Sequence, residues 1–326
     1  MRDAKRFTVD DPRFSTGQVI GPSMLSLDGL DHVRHRGPFA PPFRPRPVRE
    51  ALAADVERET ERLITELEPL GAAELRRGFA GPLAAATLTR TLGLERDETA
   101  TLLRWYDAIV AAVNAITAGQ PIPAAGRKAF AQLKSRLLKA IGDGALLAAV
   151  AADETLSRDQ IVSNAAVLLF GGIETTEGMI TNALHLLLNE APQGQADLPA
   201  AIEESLRLEP SATVIDRYAT EDTTLGAAAI AKGELVRVSI AAANRDPRIF
   251  PDPDRFDPAR PNLRRHLAFA HGPHVCLGIH LARLEARTAL KLLFDRLPRL
   301  RLDPARPPAV RGLVFRKPKT LHAVWR

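Results

Sequence analysis

Residues Phe269-Ala270-His271-Gly272-Pro273-His274-Val275-Cys276-Leu277-Gly278 hold the only cysteine of the chain, directly ahead of a periodic apolar run, Ile279–Leu297, that predicts a helix. A thiol in that place faces the unsatisfied N–H groups and positive dipole end of the helix, which predicts a lowered pKa and thiolate character. Gly272 and Gly278 let the backbone pass close to something flat or take a positive φ. Phe269 is positioned to cover the sulfur from the apolar side. The competing reading is an inert buried cysteine beside a glycine turn, the commoner fate of a single cysteine taken without its neighbours.

Composition narrows what this stretch can serve. The 326 residues are 45% hydrophobic and 25% charged, the balance of an ordinary globular protein, and the length permits one large domain or two modest ones. One cysteine excludes an internal disulfide and any zinc site of several thiolates, but a lone thiolate suffices as an axial ligand of haem iron. The longest apolar stretches, Ala145–Ala152 and Ala165–Ile173, fall short of the roughly 18 residues a membrane span needs. The opening MRDAKRFTVDD lacks the apolar core of a secretory signal, so a cytoplasmic protein without membrane association is expected. The excess of 44 Lys+Arg over 39 Asp+Glu is spread along the chain and only 5% of residues are aromatic, which argues against nucleic acid as a partner.

Proline-rich connectors at 38–47, 247–261 and 298–318 separate segments that are mostly helical. Apolar residues from Val48 to Leu70 recur at helical spacing up to Gly71, and Arg76–Leu92, Thr99–Ala118 and Gly126–Ile141 predict three further helices. Ser157 and Gln160 form a capping-box start for a helix reaching about Leu188, with an unusual Gly171-Gly172-Ile173-Glu174-Thr175-Thr176 at its centre. Each mid-helix glycine costs about 0.8–1 kcal/mol relative to alanine, so a packing or functional reason must offset it. Leu198–Leu208 is a short helix, and Thr213–Ala219 and Leu235–Ile240 are the clearest strands. The class is mainly α with a small β part.

The spacing of Phe269, Gly272, His274, Cys276 and Gly278 matches F-x-x-G-x-H-x-C-x-G, which resembles the haem-binding loop of cytochromes P-450. Other marks of that family follow in order. Glu204-Ser-Leu-Arg207 is similar to its E-x-x-R pair, and Asp254-Arg255-Phe256 looks like the element whose arginine, Arg255, closes a Glu–Arg–Arg network. The 171–176 stretch resembles the long-helix motif in which small residues such as Gly171 leave room for dioxygen, and the resemblance makes Glu174 and Thr175 the acid–alcohol pair for proton delivery. A helix bent by threonine back-bonding is a compatible reading of the same residues. His32 and Arg36 form an H-x-x-x-R pattern similar to an early propionate clamp, with Arg217 and His274 matching two further propionate contacts; each alone reads more readily as a solvated surface charge, and it is the four in the expected order that count.

The resemblance implies a single haem-thiolate domain over residues 1–326, with haem b held by Cys276. Its activity would be a monooxygenase of the bacterial class, using O₂ and electrons from a separate ferredoxin and ferredoxin reductase. Arg264, Arg265, Arg283 and Arg287 are candidate docking residues. Val167, Gly171, Val214 and Phe315 stand at the family's substrate-pocket positions, and their apolar character favours a small, mainly hydrophobic organic substrate. Against the family pattern, Ala270 replaces a usual glycine, a change expected to leave the turn intact, and Asn189–Asp197 is a short connection. Arg2–Pro12 reads as the end of the family's B-helix segment, so the first helix and part of the first β-sheet are expected to lie before Met1. The rival class is a truncated, non-catalytic P-450-like protein.

Overall fold

The computed structural model describes residues 1, 3–94, 99–143, 145–190 and 197–326. Its helices are α1 (Ser15–Ile20), α2 (Gly29–Arg36), a turn α3 (Pro45–Pro47), α4 (Ala53–Leu67), α5 (Gly81–Thr91), α6 (Thr99–Thr117), α7 (Ala124–Asp143), α8 (Ala145–Ala152), α9 (Arg158–Glu190), α10 (Leu198–Leu208), α11 (Ile240–Ala243) and α12 (Ile279–Arg296). Strands are short. β1 (Phe7–Thr8), β3 (Val214–Ala219) and β6 (Leu235–Ser239) make one antiparallel sheet, and β2 (Ala72–Glu74), β10 (His322–Val324) and β7 (Arg301–Leu302) another. Two hairpins, β4 (Thr223–Leu225) with β5 (Ala228–Ile230) and β8 (Val310–Arg311) with β9 (Lys317–Pro318), complete the β part.

The predicted helices lie where the periodicity places them, within a few residues. Pro45 to Leu70 is one continuous helical segment with a π turn at Val48–Leu52, ended at Gly71, whose φ is +70°. Arg2–Pro12 departs from expectation: Phe7 and Thr8 pair with Ala219 and Tyr218 as an edge strand of the β3 sheet, so this segment is not the end of a helix. Two hydrogen bonds accepted by its carbonyls, Thr220 N–H to Arg6 O and Thr220 Oγ1 to Lys5 O, extend that pairing. The connection at Asn189–Asp197 falls largely outside the described residues.

Helix α9 organises the whole. Its 33 residues span about 50 Å, and its start is capped as predicted: Ser157 N–H donates to Gln160 Oε1 (3.0 Å) and Gln160 N–H to Ser157 Oγ (3.3 Å). Burial from Ile161 to Leu187 is nearly continuous on all faces, the mark of a central helix. Two apolar clusters share it. One gathers α6, α7, α8 and the first half of α9 up to Ile173; the other gathers α4, α10, α12 and the second half from Met179. Glu174–Gly178, the polar segment, sits at their junction. The two preceding glycines have different reasons to be glycine. A side chain on Gly172 would run into Leu88 of α5, which packs against the bare backbone, whereas one on Gly171 would meet nothing within 4 Å.

Glu204 and Arg207, both without exposed surface, form a bidentate pair on α10 at 2.8 and 2.7 Å. Arg207 also donates to the carbonyls of Asn244, Pro253 and Arg255. The third cation is Arg260, not Arg255: Arg260 Nε lies 3.3 Å from Glu204 Oε1, while the Arg255 side chain is exposed. The turn that drives Phe256 into the core sends its neighbour Arg255 outward and leaves only the Arg255 carbonyl in the network. Removing one partner of a buried charged pair strands the other, at about 3–5 kcal/mol. Arg207→Ala is therefore expected to lower the denaturant-unfolding free energy by about that amount and Arg260→Ala to destabilise as well, with Arg255→Ala within about 0.5 kcal/mol of the parent. A loss in Arg255→Ala equal to that in Arg260→Ala would contradict the assignment.

Glu285, on the inner face of α12, is a buried carboxyl of another kind. Its Oε1 has no hydrogen-bond partner, and burial pushes its pKa from 4.5 to about 8, opposed only in part by the Thr87 hydroxyl. The protonated form is the one the fold prefers, so its stabilising contribution is complete below the ordinary carboxylate pKa and is lost as pH rises towards 8. Unfolding free energy measured against pH is expected to fall across that window in the parent, and to fall less in Glu285→Gln. Parallel curves would show that Glu285 does not titrate as described.

Candidate active site

The loop ahead of α12 folds as a pair of tight turns closed by Cys276 N–H donating to Phe269 O at 2.9 Å. Ala270 has a φ of +58° and Gly272 of +82°. Ala270 thus occupies the left-handed region that glycine tolerates freely, at a cost of about 1–2 kcal/mol for a residue with a Cβ, and the turn is retained as expected despite it. Phe269 is held in place by the Arg283 guanidinium, 4.6 Å over its ring. Arg283 is in turn bound through two hydrogen bonds, at 2.6 and 2.7 Å, to Glu203, which also meets His266 at 3.0 Å. Arg283 is therefore a brace of this loop and not a free docking residue; Arg264, Arg265 and Arg287 are exposed.

The thiol departs from the expected direction. Burial pushes the Cys276 pKa above its ordinary value, and this outweighs the Gly278 backbone N–H and the positive charges of Arg36 and Arg283, which act the other way. Gly278 caps α12 with a φ of −84°, and a side chain there would meet nothing within 4 Å. Deprotonation of such a thiol needs a strong local positive charge, which a coordinated metal ion supplies outright.

Three basic side chains, His32, Arg36 and His274, meet at this loop, and Arg217 lies close enough to Asp28, the partner of His274, to feel its charge. Helix α2 points His32 and Arg36 inward while Leu30 and Val33 face solvent, which fixes the register that the sequence left open. Arg34 turns instead to Asp31 and Gln160, and His35 to Asn164. The His32 and His274 rings lie 4.3 Å apart, and Arg36 donates to the Val275 carbonyl at 2.7 Å. Burial, then the charges of His274 and Arg36, pushes the His32 pKa down to about 4, so the ring is neutral near pH 7; its buried Nε2 has no hydrogen-bond partner. Arg217 is 7% exposed on β3 and donates to the Asp216 carbonyl at 2.7 Å. Asp28, absent from the sequence reading, accepts from His274 Nε2 (2.8 Å), Thr8 Oγ1 (2.7 Å) and Val9 N–H (2.8 Å). Burial raises the Asp28 pKa, but those hydrogen bonds prevail and hold it well below the carboxylate range. A buried orphan nitrogen amid two arginines and a second histidine is what carboxylate arms of a cofactor require.

On α9, Thr175 Oγ1 donates to the Gly171 carbonyl at 2.6 Å, the back-bond anticipated from sequence. Glu174 is 4% exposed and pairs with Lys317 of β9 at 2.8 Å, so the acid and the alcohol are each bonded elsewhere. Of the pocket candidates, Val167 is buried, Val214 and Phe315 are half-buried, and the start of β3 is joined to the 313–315 turn by Thr213 N–H to Val314 O and the Ala212–Phe315 bridge. Phe315 meets Phe170 edge-on at 5.6 Å. A void of about 10 Å³ lined by Tyr106, Ile109, Ala166, Leu169, Phe170 and Ile173 is only water-sized.

The chain resembles known proteins along nearly its whole length. The family model "Cytochrome P450" matches residues 197–320. The chain is 35% identical to nocardicin C N-oxygenase of Nocardia uniformis subsp. tsuyamanensis, over 97% of this chain and 82% of that protein. It is 33% identical to cytochrome P450 monooxygenase PikC of Streptomyces venezuelae, over 99% and 84%. The crystal structure of P450BioI, solved with a hexadec-9Z-enoic acid ligated acyl carrier protein, superposes with a TM-score of 0.87 at 29% identity and covers all of this chain and 89% of its own. With relatives this similar along nearly its whole length, and the fold and cysteine loop described above, the chain belongs to the cytochrome P450 family.

Proposed function

We propose that this P450 monooxygenase oxidises a small, mainly apolar organic molecule, with Cys276 as the thiolate that would hold haem b and a separate ferredoxin and ferredoxin reductase as electron source. Haem b, when bound, supplies the iron at which O₂ is reduced, so that one oxygen atom enters the substrate and the other leaves as water. The observation that carries the reading is the orphaned His32 Nε2, beside His274 and Arg36 at the loop of the chain's single cysteine. His32, Arg36, Arg217 and His274 bind the two propionates; Phe269, Gly272 and Gly278 shape the loop, the last leaving open space beside the backbone. Cys276 gives up its thiol proton on ligation, against the burial that otherwise keeps it.

Placing one oxygen atom of O₂ in the substrate and releasing the other as water consumes two electrons and two protons, and bulk water must be kept from the site while the protons are delivered. Glu174 and Thr175 lie side by side in the polar segment between the two apolar clusters, where the neighbouring Glu177 is held by Arg76, Arg77 and Lys317. In this reading Glu174 brings the proton on its carboxyl oxygen and Thr175 relays it through Oγ1, exchanging its back-bond to Gly171 for a bond toward the site. Val167, Gly171, Val214 and Phe315 line the substrate side. Exposed Arg264, Arg265 and Arg287 suit an acidic electron-donor protein.

Reduced protein under carbon monoxide is expected to show the long-wavelength Soret band of a thiolate complex, and Cys276→Ser to lose it while retaining the fold by circular dichroism. An imidazole-like band, or no haem, would favour the non-catalytic reading. Thr175→Ala is expected to lower product formed per electron pair consumed by about tenfold or more, the scale of a lost general acid–base group, with haem binding intact. Unchanged coupling would remove Thr175 from proton delivery.

A further inference from the structure

Lys317 is a buried amine that the proposed chemistry does not use. It opens β9 and is 8% exposed; its Nζ lies 2.8 Å from Glu174 Oε1 and 2.8 Å from Glu177 Oε1. The two carboxylates are one turn apart on α9, and a single ammonium bridges them. They are not equivalent. Glu177 has no exposed surface and is also bound by Arg76 and by Arg77 Nη1 at 2.9 Å, and Arg77 continues to the exposed Asp107. Among the described residues, Glu174 forms an ion pair with Lys317 alone. The space is built for these charges: a Cβ on Gly81 would approach Glu177 Oε2 to 2.6 Å, and one on Gly178 would approach Ser211 Oγ to 2.7 Å and the Lys317 stem to 3.5 Å.

We infer that Lys317 is a positioning residue that parks the Glu174 carboxylate away from Thr175 and releases it toward the site, Glu177 remaining on the ammonium throughout. The inference rests on the assignment of Glu174 to proton delivery. A buried ammonium stripped of every partner would be severely destabilised. Glu177 prevents that, because its own position is fixed by two arginines. Departure of the Glu174 carboxylate then gives up one of three contacts at Lys317, whose Nζ also donates to the Glu174 carbonyl at 3.4 Å, and none of those at Glu177. Glu174 is the exchangeable member of the cluster and Glu177 the fixed one.

The test uses the haem-loaded protein with dithionite as reductant and air as the source of O₂, and follows the return of the Soret band to its oxidised position in H₂O and D₂O; no substrate or redox partner is needed. Glu174→Gln is expected to slow the return and change its solvent isotope effect; if it does neither, the assignment of Glu174 itself fails. Given that response, Lys317→Met is expected to accelerate the return by about threefold or more, the lower end for directly interacting charged groups, and Lys317→Arg to restore the parent rate. In a Glu174→Gln background Lys317→Met should have no further effect; an undiminished effect there would overturn the inference alone. Glu177→Gln leaves Lys317 to Glu174 and is expected to slow the return, so it decides the matter if Lys317→Met does not load haem; acceleration would overturn the inference. Thermal midpoints of the same single and double variants give a readout independent of O₂. Coupling between positions 317 and 177 should exceed that between 317 and 174, and the reverse order would make Glu174 the fixed partner.

Discussion

Arg207 has no exposed surface, and its five hydrogen bonds run to Glu204 twice and to the carbonyls of Asn244, Pro253 and Arg255. A guanidinium has five N–H groups, so the residue is saturated. It thereby fixes the proline-rich segment after Asn244, which has little secondary structure of its own, against α10. The order continues from there: Asn244 Oδ1 accepts from Leu267 N–H, Ala270 N–H donates to Leu267 O, and Cys276 N–H closes on Phe269 O. The position of the sulfur thus descends by hydrogen bonds from a buried ion pair some seventy residues earlier in the chain.

What could be read from the sequence was what neighbours in the chain decide. Helical periodicity, the Ser157–Gln160 cap, the Thr175 back-bond and the spacing around Cys276 are local, and they stand in the structure as read. What could not be read involves partners far apart. Lys317 and Glu174 are 143 residues apart, and Asp28 and His274 are 246. No spacing rule reaches that far. Arg255 and Arg260 differ only in which way a proline-rich turn faces them, and the Asp-Pro-Ala-Arg ending at Arg260 was the available hint. Phe7–Thr8 is too short a run for any pattern to separate strand from frayed helix. The direction of the thiol pKa is not legible in the sequence, because the dipole of α12 is a local property whereas desolvation belongs to the packed loop.

The buried carboxyls show the same division. Glu285 and Glu204 are both fully enclosed, yet one is driven toward its neutral form and the other is bound by two arginines. Glutamate burial alone therefore says nothing about charge; the cations brought from elsewhere decide it. Along α9 the polar segment 174–178 interrupts two apolar clusters, so ionic groups lie at a seam and not within either core. A seam is where a charged side chain can change partner without opening hydrophobic packing.

The adjacent glycines of α9 separate two kinds of evolutionary freedom. Position 172 belongs to the scaffold, because Leu88 already occupies the volume a side chain would need. A Cβ at position 171 would meet no protein atom within 4 Å, so the glycine there does not answer to a neighbouring helix. One residue of the central helix is thus constrained by its packing against α5, and the residue before it is free of that constraint.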